Sequence, residues 1–326
     1  GVSTATVIAR GTETLTFTGG MDTDSGTFRY AGDGNGSSDT RTLTINASTN
    51  VSYFGLTIND PNATPANRDV FATSGSLTVN GALTTTSGTL NAATAANTID
   101  ANGSVSIGAS GILTAPASTG ATAFTVAGNW TNSGTFTNSS GQVTFDGGSQ
   151  SLSGATTFYA LTKAVSSNAT LTLASSVEQK VTNDLALTAT AGNLLTIASS
   201  GVPAAQLTLT AGGTQTISNV SVSNNDASGT GGVLPYSGVT LVARNTSTNG
   251  GSNTNWQFGA ATFTWDGSTS TDWNTVSNWD LGIVPASADT VIIPSGPANQ
   301  PALSTDVVVA NLTINDAASL TLAGKN

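Results

Sequence analysis

Apolar and polar residues alternate along most of the chain in short runs of three to five residues. Runs such as Ser76-Leu-Thr-Val79, Thr170-Leu-Thr-Leu173 and Gln206-Leu-Thr-Leu209 place every second side chain on the same face, which is the two-residue period of a β-strand. Gly, Asn and Ser separate the runs, and a helical apolar period does not persist anywhere. The pattern predicts an all-β protein of short strands joined by tight turns.

Several of these runs recur as near copies at distant positions. Gly147-Gly-Ser-Gln-Ser-Leu-Ser153 returns as Gly212-Gly-Thr-Gln-Thr-Ile-Ser218, and Leu56-Thr-Ile-Asn-Asp60 returns unchanged as Leu312-Thr-Ile-Asn-Asp316. Degenerate copies separated by tens of residues indicate a repeat architecture. In that setting we interpret the Gly-Gly-Ser-Gln segment as a corner between two strands and not as a phosphate-binding loop.

The repeat also predicts how the core is built. A short strand with one apolar face is not stable alone in water, but stacked rungs bury their apolar faces in a shared core. We therefore predict a parallel β-helix, or β-solenoid, of about a dozen rungs with roughly 20 to 30 residues each. A string of β-sandwiches built from the same strands is the alternative.

The last part of the chain differs in composition, and we place a domain boundary near Gly259. Residues 1–259 are predicted to form the solenoid, and residues 260–326 are predicted to form a small β module that rejoins the repeat pattern. This module holds three of the five tryptophans, Trp265, Trp273 and Trp279. They are candidates for stacking against a glycan, but tryptophans at strand ends more often fill the interior of a small module, and we favour that interpretation.

The charge pattern limits the classes of partner. The formal net charge is −10, and the 8 Lys and Arg residues are scattered, so the basic surface that binds nucleic acid is missing. No apolar run of about 18 residues is present, which argues against membrane insertion.

The chain has no Cys and no His, which excludes disulfides and thiolate zinc sites. Its first residue is Gly1, which indicates a removed signal peptide or a segment of a longer protein.

One polar constellation is a candidate calcium site, and calcium is the one cofactor that the sequence suggests. Calcium binds six to eight oxygen ligands, and carboxylates interleaved with Gly, Asn and Ser can surround it. The alternative is a solvated turn. The candidate ligands are Asp22, Asp24, Asp33, Asn35 and Asp39.

Enzyme activity is not expected, although a polysaccharide-degrading enzyme remains an alternative. Such enzymes need paired carboxylates, or calcium together with a base. Glu occurs only at positions 13 and 178, and Lys only at positions 163, 180 and 325. The Asp pairs lie in Gly-rich turns where nothing predicts a raised pKa.

Several motifs resemble the repeats of large bacterial surface and adhesin-like proteins. They include Gly134-Thr-Phe136, Asp226-Ala-Ser228, Asn253-Thr-Asn-Trp256 and the segment that begins at Trp265-Asp-Gly267. The resemblance implies right-handed β-helices found on cell surfaces, in adhesins or in extracellular fibres. It implies no catalytic residue.

These observations together predict an extracellular structural protein at the cell surface. The end of a solenoid is an unpaired strand edge, and stacking of one end on the other end of the next copy would give a filament. The chain's main partner would then be itself; the alternative is a stalk segment of a larger adhesin that binds surface glycans. The candidate contact residues are Val7, Leu15, Phe17, Val309, Leu312, Ile314, Leu320 and Leu322.

Overall fold

A computed structural model of the chain describes residues 5–10, 24–43, 50–229 and 237–325. The chain divides into two compact units, Gly1–Lys163 and Ala164–Asn326. In both units the described residues form short strands with very little helix. The helical segments are single 3₁₀ turns, Pro65–Asn67 in the first unit and Val276–Asn278 in the second.

The strands of the first unit are three to ten residues long. In chain order they are β1 (Thr6–Ala9), β2 (Thr27–Tyr30), β3 (Thr40–Thr42), β4 (Val51–Tyr53), β5 (Gly55–Asn59), β6 (Val70–Ala72), β7 (Ser76–Val79), β8 (Leu83–Asn91), β9 (Thr98–Ala101), β10 (Val105–Thr114), β11 (Phe124–Val126), β12 (Trp130–Asn132), β13 (Thr135–Thr137), β14 (Gln142–Phe145), β15 (Gln150–Ser153) and β16 (Thr156–Val165), whose last two residues cross the division.

These strands pair in parallel between successive turns of the chain. One sheet has the order β1-β2-β5-β8-β10-β12-β15, and a second has the order β4-β7-β9-β11-β14-β16. The far halves of β8 and β10 also pair with β6 and β13. Leu83 pairs with Leu56 and Val105 pairs with Leu83, so one turn of chain separates each strand from its partner. Each turn thus satisfies the backbone of the next, which is the arrangement of a solenoid.

Stacking of equivalent residues forms the core of the first unit. At one inward position of the first sheet, an apolar side chain lies directly above the side chain of the previous turn. Every member of this column is at most 3% exposed, which explains why each short strand is stable only with its neighbours. The column consists of Phe28, Leu56, Leu83, Val105, Trp130 and Leu152.

The second unit continues the same type of strand. Its strands are β17 (Ala169–Leu173), β18 (Glu178–Ala189), β19 (Leu195–Ser199), β20 (Ala205–Leu209), β21 (Thr214–Ser218), β22 (Val220–Ser223), β23 (Asn225–Asp226), β24 (Leu241–Ala243), β25 (Thr248–Asn249), β26 (Trp256–Phe258), β27 (Thr262–Thr264), β28 (Thr290–Ile293) and β29 (Asn311–Ile314).

Parallel pairing also organises the second unit. One sheet runs β17-β19-β22-β25, and another contains β18, β20 and β23, with β21 beside β18. Leu171, Ile197 and Val222 form one of its apolar columns and are at most 1% exposed. Two smaller parallel sheets follow, β24-β26 and β27-β28-β29.

The structure confirms the predicted all-β parallel β-solenoid, with about 12 turns. The β-sandwich alternative is wrong, because the sheets are built from parallel strands of successive turns and not from antiparallel hairpins. An aromatic cluster lies near the end of the second unit. The boundary near Gly259 stays a prediction.

Candidate functional site

Two of the candidate calcium ligands, Asp33 and Asp39, lie together with Asp69. Carboxylate oxygens of these three residues lie within 4.8 Å of one another. Arg41, however, occupies the same place: its Nη2 donates to Asp33 Oδ2 at 2.5 Å and to Asp39 Oδ2 at 2.8 Å. The guanidinium therefore already supplies positive charge to the cluster.

Backbone amides also use the oxygens of this cluster. The Asp69 carboxylate accepts from the amides of Asp33 and Asp39 at 3.2 and 2.9 Å. Asn35 faces the cluster with its amide nitrogen, which donates to the Asp33 and Asp39 carboxylates at 2.8 and 2.9 Å. Calcium would need the amide oxygen instead, so it would have to displace Arg41 and turn Asn35.

The other two candidate ligands do not contribute to this group. Asp24 is not part of the carboxylate group, and Asp22 lies outside the described residues. Asp69 joins the cluster although the sequence did not suggest it as a ligand. Calcium binding stays a prediction.

The tryptophans of the C-terminal module form its core. Trp265, Trp273 and Trp279 are 0, 1 and 2% exposed. The Trp279 ring lies edge-on to the other two, with centroid distances of 5.0 and 4.7 Å. No ring face is open to a sugar, so the glycan-stacking interpretation must be corrected: these rings stabilise the module by burial and edge-to-face packing.

A buried ion pair joins the module to the solenoid strands of the second unit. Asp289 is fully buried and accepts from Arg244 Nη1 and Nη2 at 3.2 and 2.8 Å. It also accepts from the amides of Ala261 and Ala286 at 2.8 and 2.6 Å. Burial by itself raises the pKa of Asp289, but these hydrogen bonds outweigh it and hold the pKa below its usual range. The Arg244 guanidinium also lies 5.5 Å from the centre of the Phe263 ring.

The candidate contact residues fall into three groups. Val309 and Leu320 pack against the core of the C-terminal module, and Leu15 and Phe17 lie outside the described residues. The others are exposed by between 44 and 49%, and they are Val7, Leu312, Ile314 and Leu322.

Two of these exposed residues end the apolar columns of the last sheet. Leu312 pairs with Val291, which pairs with Phe263, and Ile314 pairs with Ile293. Phe263, Val291 and Ile293 are fully buried, whereas Leu312 and Ile314 are 44 and 45% exposed. Among the described residues, β29 pairs only with β28. Its second edge and one side of each column therefore lack the cover that β28 has from strands on both sides.

The fold defines the class as a parallel β-solenoid followed by a module with an aromatic core. A family described as "Domain of unknown function (DUF8693)" matches residues 264–326, which include all three buried tryptophans of the module. Comparisons with curated proteins and with solved structures found no match. Among the described residues, no helix is long and apolar enough to cross a membrane.

Proposed function

We propose that this chain is an extracellular structural protein whose solenoid ends stack head to tail into a surface filament. The observation that carries the proposal is the open edge of β29, where Leu312 and Ile314 extend two buried columns but remain half exposed. Full burial of a Leu or Ile side chain stabilises by about 1.5–3 kcal/mol. Covering the exposed halves of both would therefore contribute about 2 kcal/mol, in addition to new backbone hydrogen bonds.

Strand β1 is the counterpart that we propose for this edge. Val7 and Ala9 face inward, because they pair with the buried residues Phe28 and Tyr30 of β2. Val7 is nevertheless 44% exposed. An edge that offers Leu312 and Ile314 at alternate positions matches a strand that offers Val7 and Ala9 at alternate positions. Such a contact joins two different surfaces and does not close, so it generates filaments.

The same observation fits a second function, a stalk segment of a larger surface adhesin. In that case a neighbouring module of a longer chain covers β29, and no assembly of separate copies is needed. The resemblance of the repeats to surface and adhesin-like proteins supports an extracellular location for either function. The low content of charged residues, 8%, also suits a protein whose outer faces are mainly Thr, Ser and Asn.

Assembly of the purified chain distinguishes these functions. We expect concentration-dependent filaments in negative-stain electron microscopy and sedimentation velocity, and we expect Leu312→Lys with Ile314→Lys to abolish them. The matched control is Val202→Lys, because Val202 is 88% exposed and lies in a loop. A chain that stays monomeric at high concentration, or filaments that survive the double substitution, would rule out stacking through β29.

A further inference from the structure

Two departures from the repeat lie on either side of an open cleft in the first unit. A polar insertion, residues 60–69, separates β5 from β6. In β10 the pairing register with β8 shifts between Ile107 and Ser110, which is the mark of a β-bulge. Between the insertion and the bulge lies an open cleft of about 260 Å³. Insertions and bulges in regular folds concentrate at binding sites.

The insertion forms a fixed wall of this cleft. The Asp60 carboxylate links the two ends of the insertion: one oxygen accepts from the amide of Asn62 at 2.9 Å, and the other accepts from the amide of Asp69 at 2.7 Å. Arg68 Nε donates to the carbonyl of Asn62 at 3.0 Å. The wall therefore needs little ordering when a ligand binds, which favours affinity.

The floor of the cleft is the outer face of a paired sheet. Thr89, Ile112 and Thr135 lie side by side on adjacent strands, and all three line the cleft. Ile112 is 38% exposed. Next to them, Gly88 and Gly111 pair with each other and also line the cleft. The surface thus offers two hydroxyl groups, one aliphatic patch and a flat approach.

Arg68 gives the cleft its charge. Its Nη1 reaches the bulge and donates to the carbonyl of Ser110 at 3.3 Å. Its Nη2 makes no hydrogen bond to any described residue, and the side chain lines the cleft. A guanidinium held by two carbonyls with its remaining nitrogen free is prepared to bind a carboxylate.

We propose that this cleft binds a saccharide unit that carries a carboxylate, such as a uronic acid within a polysaccharide. Arg68 binds the carboxylate, the hydroxyls of Thr89 and Thr135 bind ring hydroxyls, and Ile112 contacts the apolar face of the sugar. An extended peptide fits less well, because β10 is paired on both sides at this point and offers no free strand edge. The nearby Asp60 and Asp69 carboxylates, engaged with backbone amides, keep the affinity modest.

A pair of matched oligosaccharides tests this inference. Tetragalacturonate, titrated into the full chain and followed by calorimetry or by amide chemical shifts, should bind, and neutral maltotetraose should bind at least about tenfold more weakly. Arg68→Gln should lower the affinity for tetragalacturonate by a similar factor, and Lys180→Gln, which removes an exposed positive charge elsewhere, should not. Far-UV circular dichroism checks that both variants are folded.

A second variant leaves the wall and Arg68 intact. Thr135→Trp, at an exposed position of the floor, should block the cleft and abolish binding. Equal affinity for both oligosaccharides, binding that is unaffected by Arg68→Gln or Thr135→Trp, or no binding at millimolar concentration would each overturn the inference. None of these outcomes depends on whether the chain forms filaments.

Discussion

Lys163 is a fully buried cation inside the first unit. Its Nζ donates to the carbonyls of Gly147 and Gly148, both at 2.9 Å, and to Gln150 Oε1 at 2.6 Å. A longer contact of 3.4 Å reaches the carbonyl of Phe145. None of these partners is a carboxylate, so the ammonium is held by neutral oxygens that converge on one corner of the solenoid. We predict that Lys163→Met destabilises this unit.

The size of the destabilisation depends on which hydrogen-bond donors remain for each of these oxygens in Lys163→Met. The Gly148 carbonyl lies at an exposed residue and that of Gly147 at a partly exposed one, so water can replace the ammonium there. Gln150 is 3% exposed, and its Oε1 loses its partner in the interior, which costs about 1–3 kcal/mol. Met fills most of the Lys volume, which limits the cavity cost. We expect a net loss of about 2 kcal/mol, or a melting temperature lower by about 4–8 °C for a unit of this size.

The pH dependence of the free energy of unfolding tests the role of Lys163 independently. Burial lowers the pKa of Lys163 to about 8, with a smaller opposing effect of Asp146, whereas an unfolded lysine titrates near 10.4. Between these values the unfolded state binds more protons, so the stability of the wild type rises with pH, by at most about 1.4 kcal/mol per pH unit. Lys163→Met lacks this rise.

Chemical denaturation at pH 7, 8, 9 and 9.5 measures both effects, with Lys180→Met as the control because Lys180 is exposed. The wild type should be the more stable protein at pH 7, and the difference should grow above pH 8. A variant as stable as the wild type at pH 7 would refute the claim that the ammonium stabilises the corner. A difference that stays constant up to pH 9.5 would refute the lowered pKa.

Two further predictions concern the other charged clusters. Asp289→Asn leaves Arg244 without its charged partner and should cost about 3–5 kcal/mol at neutral pH in thermal melts followed by tryptophan fluorescence; Asp316→Asn, at an exposed position, should be neutral. The folded pKa of Asp289 is lowered, so the ionised carboxylate stabilises the wild type above about pH 4, and this stabilisation is lost as the pH falls through the folded pKa. Asp289→Asn should lack this acid-sensitive loss of stability. If Asp33 and Asp39 bind calcium, the ion should raise the melting temperature, and the increase should be larger in Arg41→Gln than in the wild type. A chelator should reverse the effect. Melting temperatures that calcium leaves unchanged in both proteins would exclude a calcium site.

Alternation and repetition made the fold predictable. Each apolar position repeats in every turn, so short runs such as Leu171-Thr-Leu173 indicate both the strand and its inward face. Local sequence was sufficient here because a solenoid strand pairs with the equivalent strand of the next turn, which is a copy of itself. The open columns at Leu312 and Ile314 were predictable for the same reason, since they come from the same pattern.

Contacts between non-equivalent positions were not predictable. Nothing local marks Lys163 as buried, because its acceptors belong to a corner 13 to 18 residues earlier in the chain. Asp69 joins Asp33 only because β3 and β6 pair. The burial of Trp273 likewise depends on packing that the sequence pattern does not specify. In each case a residue at a repeated position contacts a residue that has no equivalent in the other turns. A periodic sequence pattern does not indicate where such a partner lies.

The recurring Gly-Gly-Ser/Thr-Gln segment shows how one repeated residue acquires different roles. Gln150 and Gln215 occupy the same place in the two copies, and they are 3 and 4% exposed. Gln150 Nε2 donates to the carbonyl of Gly128 at 2.6 Å, and Gln215 Nε2 donates to that of Leu281 at 2.7 Å. Both side chains thus satisfy partly buried carbonyls at a corner, which explains why a polar residue is found there in both copies.

The partner of the amide oxygen is what separates the two copies. Gln150 Oε1 accepts from Lys163, whereas Gln215 Oε1 accepts from the backbone amide of Val242 at 2.8 Å. An ammonium is needed only at the first corner, because the second has a main-chain donor in reach. At that second corner the Nε2 bond to Leu281 instead links the solenoid to the aromatic module. The same motif is therefore stabilised by the Lys163 ammonium at the first corner. At the second corner it binds the module that carries the open edge of β29.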